Sequence, residues 1–203
     1  MMNRYSLLLL GLFGGNAIAA EVFVTPYAGY SFGGQGLAVN GVDDYRSGKA
    51  EDSSHLGVML GFTLSPLSDS YFLYSHQQTD LLQQVDGREQ RFDALSVDYW
   101  HAGGTLYFSR DNLQPYVTGS FGLTRLQPEQ SLDASSYFSM SLGVGAQLFL
   151  TDNLALLTEV RGFATFVGND KRFDCYQNQQ CTWYYSGDTV WQGQANIGLK
   201  LQF

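Results

Sequence analysis

Charge, proline, cysteine and histidine are all scarce in this sequence, and so are long apolar runs. Charged residues make up 15%, with 11 Lys+Arg against 19 Asp+Glu and a formal net charge of −8. That balance disfavours a polyanionic partner, so no nucleic acid is expected. With 4 prolines and no Pro/Ser-rich stretch or charge block, nothing divides the chain into several domains. The 2 cysteines, Cys175 and Cys181, offer too few ligands for a zinc centre, and no metal or cofactor is expected. No stretch beyond residue 20 has the roughly 20 apolar residues that a membrane-spanning helix needs.

The first residues carry Arg4, then an apolar run from Tyr5 to Phe13, then the small residues Ala17-Ile18-Ala19-Ala20. The run is about half the ~20 residues of a spanning helix and has no stop-transfer pattern after it. It reads as a cleaved secretory signal peptide over 1–20, leaving one domain over 21–203. In an exported chain the two cysteines, close together in a polar segment, predict a local disulfide.

What the sequence has in quantity is glycine (23), tyrosine (13) and phenylalanine (14), together with repeated two-residue alternation. At the C-terminus Trp191, Ala195, Ile197, Leu199, Leu201 and Phe203 share one face, opposed by Gln192, Gln194, Asn196, Lys200 and Gln202. Phe138 to Leu150 and Leu56 to Leu64 alternate in the same way. Further strands are predicted over 22–32, 70–79, 95–108, 115–125 and 154–167, eight in all. In the fourth, Trp100 and Tyr99 compete for the apolar face, and Trp100 is placed on it.

Pro66 to Asp69, Ser109 to Leu113 and Thr151 to Asn153 are short turns. Gly33 to Ser53, Asp80 to Asp93, Leu126 to Ser135 and Gly168 to Asp188 are long, polar loops. Short and long alternate strictly, as in an all-β, eight-stranded antiparallel up-and-down transmembrane β-barrel. A soluble sandwich or lipocalin-like barrel also alternates. The opposed face here, rich in Gly, Ser and Gln, is however too small and polar for a soluble core. An apolar band around a closed barrel leaves every backbone group paired, as hydrocarbon requires.

The last strand, with Ile197, Leu199, Leu201 and terminal Phe203, resembles the C-terminal signature of bacterial outer-membrane barrels. With Pro26-Tyr27-Ala28-Gly29-Tyr30, and His101 to Phe108 leading to Gln114-Pro115-Tyr116-Val117, residues 21–203 are similar to the small OmpA/OmpX/OmpW-type, porin-family barrels. That resemblance implies the Gram-negative cell outer membrane, contacts with its lipid and lipopolysaccharide, and the barrel assembly machinery as reader of the last strand. The short turns and both termini then face the periplasm. Such a barrel has no free edge and is expected to be a monomer.

An eight-stranded barrel is just wide enough for side chains to fill it. Glu159, Arg161 and Lys200 are expected inside as an ion-pair network, because charges cut off from water need partners. Parity also places His55, His76 and His101 inside, where hydrogen bonding is the plain reading. Ser54, Ser75, Asp80 and Asp98 lie near them, yet no nucleophile motif is present and no catalysis is expected. The aromatics between Cys175 and Tyr185 suit an outer girdle or a recognition loop for a ligand the sequence does not name. The function expected is structural or surface-interaction, with a narrow porin-like channel for ions or small solutes as the alternative.

Overall fold

The computed structural model describes residues 21–41, 44–85, 88–128, 134–167, 172–174, 182–185 and 189–203. Residues 1–20, with the expected signal peptide, lie outside them, as do Cys175 and Cys181 with their expected disulfide.

Alternating side chains leave both faces of a strand to be satisfied, and closing the sheet on itself gives each face one environment. Eight strands form the wall: β1 (Val22–Gly41), β3 (Ser53–Ser65), β4 (Ser68–Val85), β5 (Arg88–Tyr107), β6 (Leu113–Pro128), β7 (Ser135–Thr151), β8 (Leu154–Phe166) and β11 (Thr189–Gln202). Each pairs antiparallel with its neighbour, and β11 returns to β1 from Phe23↔Gln202 to Gln35↔Trp191, closing the barrel. No helix occurs among the described residues.

At one end the connections are tight. Pro66 and Leu67 alone separate β3 from β4, so Ser68 and Asp69, expected in the turn, belong to the strand. At the other end two of the expected long loops, 33–53 and 80–93, are largely strand among the described residues. β1 runs on to Gly41 and pairs with β2 (Asp44–Ala50), while β4 and β5 continue to Val85↔Arg88. Short strands β9 (Arg172–Asp174) and β10 (Thr182–Tyr185) extend the sheet from β1. These segments lack the long run of two-residue alternation that marks the wall strands. A hairpin standing in water can pair its own backbone without an apolar face, so the pattern that reveals wall strands is blind to it. The rim is uneven as a result, because β6, β7 and β8 stop lower. Where β1 passes from wall to extension its register against β11 shifts between Gly33 and Gln35, and Gly33 (φ 93) and Gly34 (φ 78) supply the left-handed backbone this bulge requires.

Outside, the wall is apolar from Leu56 (68% exposed) through Leu142 (77%) to Ile197 (55%). Trp100 faces out and Tyr99 in, as expected. Aromatics gather toward the tall rim, where Tyr74 and Trp100 lie 4.3 Å apart and Phe138 and Phe166 5.8 Å. Such a girdle marks a membrane–water boundary.

Inside, the face read as rich in Gly, Ser and Gln also carries large aromatics. Phe23, Tyr27, Tyr71, Tyr99, Tyr107, Tyr116 and Phe163 all point inward and are buried. Glycines on the facing strands make room: a Cβ at Gly57 would stand 2.3 Å from the Tyr27 ring, and one at Gly145 2.5 Å from that of Tyr116. Gly57 and Gly145 are therefore seats for tyrosine rings.

Candidate functional site

Three layers of side chains fill the lumen. At the tight-turn end Lys200 Nζ donates to Asp69 Oδ2 at 2.5 Å, and Tyr107 OH donates to the same oxygen at 2.6 Å. The ammonium also lies 4.3 Å from the centre of the Phe23 ring. Asp69 is the partner the sequence reading missed. Two-residue parity with Tyr71 and Leu73 would have found it, had Ser68 been read as strand.

In the middle layer Arg161 grips Glu159 in a fork, Nε to Oε1 at 2.7 Å and Nη2 to Oε2 at 3.0 Å. Being two apart on one strand, the two side chains share a face. Tyr116 OH and Asn196 Nδ2 donate to the same carboxylate at 3.1 and 3.3 Å. Arg161 Nη1 reaches Tyr71 OH at 2.9 Å and Ser141 Oγ at 3.2 Å. Lys200 belongs to the layer below, so the three charges expected as one network form two separate ion pairs.

His55 joins the middle layer through Asn196. Because Asn196 Nδ2 donates to Glu159, its Oδ1 must accept, which assigns the proton to His55 Nε2 at 2.7 Å and makes Ser31 the donor to Nδ1 at 2.8 Å. His101 is held between Ser120 (2.9 Å) and Ser139 (2.8 Å), with its edge on the Phe163 ring 5.3 Å away. Both imidazoles are buried and have both nitrogens occupied. They are structural hydrogen-bonding groups, without a free nitrogen for substrate or metal.

His76 is not lumenal, and this corrects the sequence reading. Its neighbours Ser75 and Gln77 are buried inside, while the His76 side chain is 43% exposed on the outer wall. Inward Tyr71 and Leu73 are as apolar as outward Phe72 and Tyr74, so β4 shows no clean alternation and its parity was read one residue out. His76 Nδ1 lies 2.7 Å from Asp98 Oδ1, to which Tyr74 OH also donates at 3.0 Å. No group of three or more His, Cys, Asp or Glu suited to a metal occurs among the described residues.

The layer nearest the tall rim mixes aromatic and polar groups. Tyr99 stacks on Phe163 at 4.0 Å and donates to Gln192, which donates to Gln77 Oε1 at 2.7 Å. Leu95, Val97 and Leu126 line a cavity of about 30 Å³ together with Thr79, Thr124 and Thr165.

A closed eight-stranded barrel with an apolar exterior and a side-chain-filled interior is the architecture of one family in particular. The sequence model described as "Outer membrane protein beta-barrel domain" matches residues 5–203. The chain belongs to this outer membrane β-barrel family. Among solved structures it is similar to the outer membrane protein OprG from Pseudomonas aeruginosa, with TM-score 0.63, 9% identity, and 91% of this chain and 96% of that one covered. Neisserial surface protein A is similar at TM-score 0.59 and 11% identity, covering 90% and 97%. At these identities the likeness concerns the fold alone. No curated protein matches the chain in sequence. The assembly residues expected from the resemblance, Ile197, Leu199, Leu201 and Phe203, all face outward at the end of β11, and Phe203 N donates to Val22 O at 2.9 Å.

Proposed function

We propose that this outer membrane protein works as a closed, non-conducting barrel that carries its tall strand rim to the cell exterior, in a structural or surface-interaction role without catalysis. The observation that carries the reading is the filled lumen: two buried ion pairs and six buried tyrosines among the described residues, with a cavity of about 30 Å³ left near the tall rim. In this reading the tight turns and both termini face the periplasm. Outward Ile197, Leu199, Leu201 and Phe203 serve the assembly machinery, and the edgeless wall stands as a monomer in lipid and lipopolysaccharide.

Planar-bilayer recording of refolded protein tests it. The wild type is expected to give no stepwise conductance. Steady ion-selective steps would sink the reading and install the alternative, a narrow channel for ions or small solutes. One observation favours that alternative: Gln194 is fully buried on the lumenal side, and neither of its polar side-chain atoms makes a hydrogen bond with the described residues. If conductance does appear and Glu159→Ala leaves it unchanged, a gate centred on Glu159 is excluded.

A further inference from the structure

We propose that the outer wall across β4, β5 and β6 binds the phosphate of a membrane lipid headgroup, with Arg125 as principal donor and His76 as second contact, both ordered around Asp98. The three residues form one row across adjacent strands, His76↔Asp98 and Asp98↔Arg125. All three project from the outer face, where strands about 4.8 Å apart place His76 and Arg125 roughly 10 Å from each other.

The level of the row gives it meaning. Two residues toward the tight turns on each strand lies the row Tyr74↔Trp100↔Leu123, continued by Phe138, which is the girdle at the edge of the apolar band. A polar row directly beyond an aromatic girdle sits among headgroups, where lipid phosphates are concentrated. A polar groove of about 600 Å³ opens at this level, with His76, Asp98, Ser96 and Gln127 in its wall.

Hydrogen-bonding capacity selects the ligand. Asp98 Oδ1 is already engaged by His76 Nδ1 and Tyr74 OH, and its side chain is 16% exposed. Arg125 is exposed and makes no hydrogen bond or ion pair among the described residues. Of the residues whose side chains are described, it is the cation that points outward from a wall strand, Arg161 and Lys200 being turned inward. A guanidinium presents a planar fork of donors matched to phosphate oxygens. With Nδ1 fixed on Asp98, the imidazole turns Nε2 outward, and its imidazolium form adds a second donor. Asp98 is thus a positioning residue that orients His76.

The proposal rests on the reading of the barrel as membrane-embedded with its tall rim outward, but its test does not need the orientation. Protein refolded in a neutral sugar detergent is titrated with purified lipopolysaccharide, with the same material after dephosphorylation, and with inorganic phosphate alone, and adducts are counted by native mass spectrometry. The wild type is expected to retain the phosphorylated lipid at least ten-fold more tightly than Arg125→Gln does, with His76→Ala weakened several-fold. Arg110→Gln, on the tight-turn side, is expected to match the wild type. Dephosphorylated lipid should bind the wild type only as strongly as intact lipid binds Arg125→Gln. Equal retention by wild type and Arg125→Gln, or by intact and dephosphorylated lipid, overturns the proposal. Tight retention of inorganic phosphate alone overturns the lipid as its source. Heat-modifiable mobility reports folding of each variant, and if Arg125→Gln does not fold, Arg125→Lys, keeping the charge without the fork, must hold intact lipid more weakly than the wild type does and more tightly than the wild type holds dephosphorylated lipid. Failure of the site leaves the barrel's orientation standing, since cleavage of intact cells reads that separately.

Discussion

Lys200 and Asp69 meet across the closed end of the barrel at 2.5 Å although 131 residues separate them in the chain. The contact ties the last wall strand to the third. It exists only once β11 has docked on β1, because the lumen that brings the two side chains together does not exist before closure.

Breaking that pair is expected to be expensive. Asp69→Asn leaves a buried ammonium without its counter-charge, and one-sided loss of a buried pair costs about 3–5 kcal/mol. Replacing both partners, as Asp69→Leu with Lys200→Met, removes the orphan charge and should cost clearly less. Urea titration of the three refolded proteins in lipid vesicles measures the difference. A single variant no less stable than the double one contradicts the account.

The outer wall is expected to reject charge according to depth. Leu142 is 77% exposed in the middle of β7, so Leu142→Arg should destabilise the barrel by roughly 2–4 kcal/mol in a bilayer. Ser136→Arg, beyond the girdle on the same strand and face, should cost ~0–1 kcal/mol. Equal costs at the two positions would mean that β7 does not face hydrocarbon.

Trypsin added to intact cells reads orientation. Cleavage is expected at the tall-rim side, where Lys49, Arg88, Arg91 and Arg172 lie on extension strands, and not after Arg110 between β5 and β6. The opposite pattern would place the turns and termini outside.

Cys175 and Cys181 are expected to be joined. Maleimide should label unfolded protein only after reduction. Since both lie beyond the wall strands, the paired change Cys175→Ser with Cys181→Ser should leave the unfolding midpoint of the barrel within about 0.5 kcal/mol, the usual range for a surface change. Labelling without reductant would show two free thiols instead.

Alternation revealed β7 and β11 because from Phe138 to Leu148 and from Ala195 to Leu201 one face is apolar and the other small or polar. It failed on β4, where lumenal Tyr71 and Leu73 oppose lipid-facing Phe72 and Tyr74, and that failure turned His76 inward. It was silent on β2 and on the upper parts of β1, β4 and β5, where the backbone ladder continues without a long apolar alternation. Asp69 went unnoticed for a local reason, since Pro66 and Leu67 by themselves make the whole turn.

The sequence by itself determined that the chain forms a barrel and which side of most strands meets hydrocarbon, because both follow from a two-residue period that any single strand already carries. Only the tertiary structure decided the rest: that Arg161 clasps Glu159 while Lys200 takes Asp69, that tyrosine rings rest on glycines of facing strands, and that His76, Asp98 and Arg125 form one outward row. Those relations depend on the register between strands and on the shear of the closed barrel, and one-dimensional periodicity contains neither.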